Sequence, residues 1–523
     1  MRRRHFCAGL SFASLAAGNA FAQTIPPSSP PANPQTAKLD DWVARQFSRI
    51  VLARWGDPVL PGAPNFTPTP LTGDQAASQF PYDGVIAALI APPPSQDGIP
   101  RLVLVVASPE APARMVFPPG QDNPTVAGRL QGVTILNLQY LQGRWKTVDG
   151  GYQSRRLSDG TLCQISGPAA QAIGGTVQGV IGPSAGTATP WGNVLLTEDH
   201  LDAWLTRLTT VGYGYGNPAQ APRFGWVVEF NPLDPGSIPI KRTALGRLSR
   251  AGITATQTPD GRPVVFFTED APAGRLFRFV ATTNATDGTA LDSGQLSVAR
   301  ITNTGISWTA LGQDVPTLAG LAGIPSGSPF DAPGGLVLSP DGATLYLACA
   351  GNPARATPDA LNPRAGDDNG HVIAFDLPSG DATAANFDGR LVLIAGNPAT
   401  AQGTSYAPDS KAWLRKPRTL SLDGSNHLWI GTDQQGNTAQ TADGFFILPV
   451  GNAGIGPVSA AYLAPTGAAA GGVAFDANSH TGFAMVRHPG ATPTASFNFP
   501  ATRWPTLAPG MPPQSTLIGL VGT

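Results

Sequence analysis

Gly252 to Asp270 reads GITATQTPDGRPVVFFTED: an alternating run, an Asp260-Gly261 turn, an apolar run and an acidic end. Asp-Gly between two such runs is a strong local signal for a β-hairpin. The phrase returns in Gly335 to Ala350 around Asp341-Gly342, and in Thr419 to Asp433 around Asp423-Gly424. Successive turns lie 81 and 82 residues apart. A propeller blade takes about 40–50 residues, so each interval suits two blades, or one blade with a long insertion. Radial repetition limits exposed sheet edges, and the pattern predicts an all-β propeller. An array of β-sandwiches is the alternative it leaves open, and it does not count blades.

The composition agrees with a loop-rich β protein. Among 523 residues there are 62 Gly and 53 Pro, and in a helix interior these cost about 1 and 3 kcal/mol each. Helical bundles and coiled coils are therefore excluded. A hydrophobic content of 41% with 10 Trp excludes disorder throughout. Lys and Arg (33) nearly cancel Asp and Glu (34), so no general positive field draws the chain to nucleic acid or anionic lipid.

Three segments follow from composition along the chain. Residues 1–22 read as a signal peptide: Arg2, Arg3 and Arg4, an uncharged stretch from Gly9, and Ala20-Phe21-Ala22 for cleavage. Arg3-Arg4-His5-Phe6 fits a twin-arginine signal, which implies a periplasmic or secreted protein without membrane insertion. Residues 23–36 hold five prolines and no charge, a composition suited to an extended tether. Residues 37–523 form the propeller domain, read as a monomer. Within it, Trp42, Val43, Phe47, Ile50, Val51 and Trp55 recur at helical spacing and predict a short helix from Leu39 to Trp55. A second helical phrase runs from Glu198 to Leu208. After Pro449 the Ala/Gly/Pro-rich chain is expected to finish the propeller. Cys163 and Cys349, the cysteines left after export, are read as two buried thiols.

Few motifs carry chemistry. Gly182-Pro183-Ser184-Ala185-Gly186 has the spacing of a nucleophile elbow but precedes no helix. Gly212-Tyr213-Gly214-Tyr215-Gly216 lacks the Lys-Ser/Thr ending of a phosphate loop. His200, His371, His427, His480 and His488 show no ligand spacing and are read as structural or exposed. More informative are Leu196-Thr197-Glu198-Asp199 and Phe267-Thr268-Glu269-Asp270. They place acidic pairs at equivalent strand ends, where a propeller can gather oxygen ligands for calcium or magnesium; solvated turn carboxylates are the equal alternative.

At these residues the chain resembles the PhoX-type alkaline phosphatases, twin-arginine-exported β-propeller phosphomonoesterases. The similarity runs in order through Arg54-Trp55-Gly56-Asp57-Pro58, Arg155-Arg156, Gly167-Pro168-Ala169 and Thr189-Pro190-Trp191-Gly192. It continues through Gly225-Trp226-Val227-Val228-Glu229, Leu245-Gly246-Arg247, Phe277-Arg278-Phe279, Asn362-Pro363-Arg364-Ala365, Gly370-His371-Val372-Ile373 and Leu428-Trp429-Ile430-Gly431-Thr432-Asp433. The resemblance implies six blades around a calcium–iron cluster that binds phosphate.

The match frays at the ligands the resemblance implies. Cys-Glu-Glu is Thr197-Glu198-Asp199, and Asn-Cys is Pro183-Ser184. Asn-His-Glu is Ala107-Ser108-Pro109, with Glu110 one residue on. His-Glu is Arg250-Ala251, Arg-Pro-Glu-Asp is Ala332-Pro333-Gly334-Gly335, and Pro-Asp-Gly is Pro417-Arg418-Thr419. A threonine hydroxyl stays protonated and cannot replace a thiolate on iron. Each lost carboxylate also removes charge that would offset a metal. The expectation is that iron is gone and that Glu198, Asp199, Glu269, Asp270 and Asp433 hold one calcium at most. Arg247, Arg250 and Arg418 become candidate anion-binding residues. Two functions follow: a propeller binding a small phosphate ester or other anion with hydrolysis weakened or lost, or a calcium-dependent phosphomonoesterase with a rebuilt site. A purely structural role in the envelope is the third reading.

Overall fold

The computed structural model describes residues 24–25, 37–212, 220–407, 409–437, 441–451, 455–476, 478 and 480–522. The expected signal peptide 1–22, most of the tether 23–36 and the 213–216 part of the tyrosine-glycine loop lie outside them.

The chain is a β-propeller built from successive, mainly antiparallel units. The first comprises Val85–Ile90, Arg101–Ser108, Gly132–Leu141 and Arg144–Thr147. The second runs Pro183–Ala188, Val194–Glu198, Val227–Phe230 and Ile240–Arg242, extended by Leu162–Ser166 and Thr176–Gln178. A nine-stranded sheet holds the next two, because Gly305–Ala310 pairs with Asn386–Ile394 across them. Their inner hairpins are Arg250–Gln257 with Pro263–Glu269, and Pro333–Leu338 with Thr344–Cys349. The fifth starts with Pro417–Leu422 and His427–Thr432, and the sixth with Ala469–Asp476 and Thr481–Arg487. All three Asp-Gly hairpins form at the expected turns. They fall in consecutive units, so each interval of about 80 residues is one blade with a long insertion.

The core explains why the second strand of each unit is apolar without a break. Successive side chains point to opposite faces, and here both faces are covered. Val264 and Phe266 pack towards the fourth unit, among Leu345 and Leu347, while Val265 and Phe267 pack back against Leu195 and Val227 of the second. The scheme repeats around the ring. Tyr346 and Ala348 meet Leu428 and Ile430, and Trp429 shares a cluster with Ala484 and Val486. Phe483 and Met485 meet Leu102, Leu104 and Val106, and Val103 and Val105 meet Val194 and Leu196.

Inside this apolar ring the first strands of neighbouring units approach backbone to backbone. A Cβ on Gly252 would sit 2.2 Å from the Gly334 carbonyl oxygen, and one on Gly334 would sit 2.7 Å from that of Arg418. The same holds for Gly471 against the Gly84 carbonyl (2.3 Å) and for Gly186 against the Ala87 methyl (2.7 Å).

The helix expected from Leu39 to Trp55 does not form. Trp42–Val43 instead pairs with the fifth unit through Tyr462 and Leu463, and Phe47–Arg54 pairs with Thr516–Gly522 to complete the sixth. The β-branched and aromatic residues that suggested a helical stripe are equally good strand formers, and an open sheet edge decides between the two. Asp41 turns to Arg49 in a buried ion pair. Two tether residues join this sheet, Thr24 opposite Ile50 and Ile25 opposite Arg49. The second helical phrase is realised as Leu201–Arg207, with Leu201, Trp204 and Leu205 buried. The segment after Pro449 finishes the fifth and sixth units, and both cysteines are free and buried.

Overpacking a tight contact costs about 1–3 kcal/mol. Gly252→Ala, whose methyl meets a backbone oxygen, is expected to lose that much in chemical denaturation, whereas Gly342→Ala, with open space around it, loses less through its turn conformation alone.

Candidate functional site

The second strands all run towards one end of the ring, and the residues at and just beyond their ends face a common cavity of about 700 Å³. These strand ends bring Glu110, Asp199-His200, Asp270, Ala350-Gly351, Asp433-Gln434 and Arg487-His488 to its wall. The first strands supply much of the rest, and each contains a register shift. Those between Pro183 and Gly186, Arg250 and Gly252, Pro333 and Leu336, and Ala470 and Val473 leave only Ser, Ala or Gly as extra residues. The shift between Pro417 and Thr419 leaves Arg418. A bulge re-aims the side chain of its extra residue, and Arg418 is the charged one among these.

Asp199, Asp270 and Asp433 of the wall each already face a cationic side chain. Arg418 donates to Asp270 Oδ1 at 2.7 Å. Arg487 donates to both oxygens of buried Asp83 at 2.9 Å and to Asp433 Oδ2 at 3.1 Å. His200 Nδ1 lies 3.2 Å from Asp199 Oδ2. Asp199, His200 and Asp270 each place a donor atom within 4.8 Å of the other two. Burial pushes the Asp199 carboxyl up, and the neighbouring Asp270 adds to it. Burial also opposes ionisation of Asp270, but Arg418 overcomes it and holds that carboxyl at about 2. For Arg487, burial opposes the charge and Asp83 more than restores it, so its pKa is raised. Lys416 adds a further cation at the rim, held by Asp368 at 2.7 Å.

Asp199, Asp270, Asp433 and Arg418 therefore do line one cavity. Glu198, Glu269, Arg247 and Arg250 do not join them there. The Glu198 side chain turns away into the second unit, where it accepts from Lys241 Nζ (2.7 Å), Ile181 N (3.0 Å) and Gly225 N (2.8 Å). Strand alternation explains this, since neighbours Glu198 and Asp199 must point oppositely. Glu269 likewise accepts from the backbone of Gly323 and Arg275. Arg250 is fully buried, donating to the carbonyls of Gly225, Leu248, Leu245 and Gly246 and stacking on Phe267. It is a staple of the backbone, not an anion site. Arg247 donates to the carbonyls of Phe224 and Ala221 and borders a smaller pocket next door.

Sequence reasoning misses Arg487, Asp83 and Lys416, and it places His200 and His488 outside any site although both stand in this wall. Arg487-His488 is legible in principle, because it ends the apolar strand Thr481–Arg487 as Glu269-Asp270 ends Pro263–Glu269. Nothing in sequence announces the Asp83–Arg487 pair, whose members are 404 positions apart.

The donor set does not fit an iron-containing cluster. The described cavity wall offers no thiolate, and Cys163 is buried elsewhere with its thiol pushed by burial to about 12. The clustered acids are few and carry their own cations. The Asp199–His200–Asp270 group leaves room for one divalent ion at most, in competition with Arg418.

Comparison with known proteins points the same way on fold. A family model described as alkaline phosphatase PhoX matches residues 31–490. The structure of Pseudomonas fluorescens PhoX in complex with vanadate, a transition state analogue, superposes with a TM-score of 0.83 at 22% identity, covering 96% of this chain and 98% of that one. A protein of unknown function from Dyadobacter fermentans gives a TM-score of 0.35 at 8% identity, covering 84% and 95%. No curated protein matches the sequence.

Two outcomes are expected. Removing one partner of a buried ion pair costs about 3–5 kcal/mol, so Lys241→Met should lower stability by that amount in denaturation curves by stranding Glu198. His200 is raised from 6.5 to about 9 by its hydrogen bond to Asp199. Its ion pair therefore stabilises fully below pH 6.5 and is lost as pH rises through about 9. The melting-temperature gap between wild type and His200→Gln should close over that window.

Proposed function

The chain belongs to the alkaline phosphatase PhoX family, and from that premise we propose that it is an exported propeller whose channel binds a small phosphate ester or related anion, with the family's hydrolysis weakened or lost. The observation that carries this reading is the internal pairing of the channel. Asp270 and Asp433 are bonded to Arg418 and Arg487, where a metal cluster needs carboxylates free to bind cations. Arg418, set on a bulge and partly exposed, presents a fork of donors suited to phosphate. His200, held protonated near neutrality, stands on the same wall. No described helix is long and apolar enough to cross a membrane, and the export reading rests on the sequence of residues 1–22.

An active calcium-dependent phosphomonoesterase is the second reading, favoured by the Asp199–His200–Asp270 group alone. Calcium prefers six to eight oxygen ligands, and this group supplies two carboxylates.

Protein purified without chelators is expected to carry no stoichiometric iron in elemental analysis and to bind inorganic phosphate in calorimetry. A charge-assisted hydrogen bond is worth about 1.5–3 kcal/mol, so Arg418→Gln should weaken phosphate at least about ten-fold. Iron near one equivalent, or no phosphate binding at millimolar concentration, would overturn the reading. Calcium-dependent turnover abolished by Asp199→Asn would favour the second.

A further inference from the structure

Behind the cavity wall, at the top of the fourth unit, lies a second group of ligating side chains. Asp331 shortly precedes the first strand of that unit, Asp367 sits in the long insertion after its second strand, and His371 opens its third. All three are buried, and each places a donor atom within 4.8 Å of the other two. None of them lines the cavity, although Ala332, Ala350 and Gly351 beside them do.

Most of the hydrogen-bonding capacity around this group is spent on holding it in place. Asp331 accepts from Arg355 Nε, and Asp367 Oδ1 accepts from Arg364 (2.8 Å), Asn369 N (2.9 Å) and Gly370 N (3.2 Å). His371 Nδ1 faces Asp367 Oδ2 at 3.5 Å, long for a hydrogen bond. Two atoms remain without any partner among the described residues: Asp331 Oδ2 and His371 Nε2. An orphaned buried polar atom costs about 1–3 kcal/mol, and both orphans belong to residues of this one group. The charge leaves room for a cation. Asp331 faces Arg355, and Asp367 faces Arg364 and the His371 imidazole, so the two carboxylates can offset a dication once the imidazole is neutral.

We propose that Asp331, Asp367 and His371 form a buried site for one first-row transition-metal dication, separate from the channel. The imidazole decides the class. Calcium and magnesium take oxygen, whereas imidazole with carboxylate suits zinc, manganese or cobalt. Its three ligands come from the approach to an inner strand, an insertion and a third strand, so the ion ties the insertion that carries Gly351 and Pro353 at the cavity rim to the ring. Its role is structural, and it involves no step of hydrolysis.

The test uses the full chain stripped with EDTA and titrated with Co²⁺, followed by visible d–d absorption and by melting temperature, with Zn²⁺ as competitor. One equivalent of Co²⁺ is expected, with absorption bands, a raised melting temperature and displacement by Zn²⁺. His371→Asn and Asp367→Asn should weaken Co²⁺ at least about 100-fold, since even supporting residues of metal sites are worth 10–100-fold. Asp199→Asn, in the channel, should leave the spectrum unchanged. If stripped wild type shows no Co²⁺ bands and no thermal shift, a bridging water occupies the group and the proposal fails. It fails equally if the bands survive His371→Asn and vanish with Asp199→Asn. The wild-type titration alone decides should either variant not fold.

Discussion

Backbone has to meet backbone at the centre of this ring. Gly252 against Gly334, Gly334 against Arg418 and Gly471 against Gly84 leave no space for a β-carbon. That contact sets how closely the units gather, and so how the apolar second strands interlock outside it. It also dictates the inside surface. Because the bulged residues are small nearly all the way round, the channel is open, and the one long side chain that a bulge projects, Arg418, dominates it. The glycine content that argues against helices is thus partly a requirement of ring geometry.

The channel charges work as pairs. A propeller can gather one side chain from each second strand end around a point. Here two of the gathered acids are matched by arginines, Asp270 by Arg418 from a first strand and Asp433 by Arg487, and Asp83 anchors Arg487 from behind. Such a wall is neutral overall but has strong local fields, and it discriminates by shape and by placement of donors more than by net charge. The two arginines Arg250 and Arg418 have different physical outcomes. Arg418 enters the channel, whereas Arg250 sinks into the wall and binds four carbonyls.

The hairpins, the all-β class and the convergence of Asp199, Asp270 and Asp433 can be read from sequence because each depends on local chemistry: Asp-Gly turns, alternation and polar strand ends. The N-terminal strands cannot, since Trp42 to Arg54 satisfies helical and strand patterns alike and only the distant partner Thr516–Gly522 selects one. The fate of Glu198 is hidden for a similar reason. Adjacent acids look equivalent in a sequence, but alternation sends one to the cavity and the other to Lys241. Pairs such as Asp83 with Arg487 belong to ring closure and carry no local signature.

Closure itself has a consequence for how the protein comes into being. Phe47 lies opposite Gly522 and Arg54 opposite Thr516, so the sixth unit joins segments more than 460 residues apart in the sequence. During synthesis Phe47–Arg54 has only the two-residue partner Thr24–Ile25 until residues 516–522 are made, and the ring cannot shut until then. Non-local pairing of this kind folds slowly, and an unpaired apolar strand invites association with other chains. A nascent chain that stalls before residue 516 leaves both the edge at Phe47–Arg54 and the face of Thr481–Arg487 open, so quality control has a plain signal by which to tell finished molecules from unfinished ones.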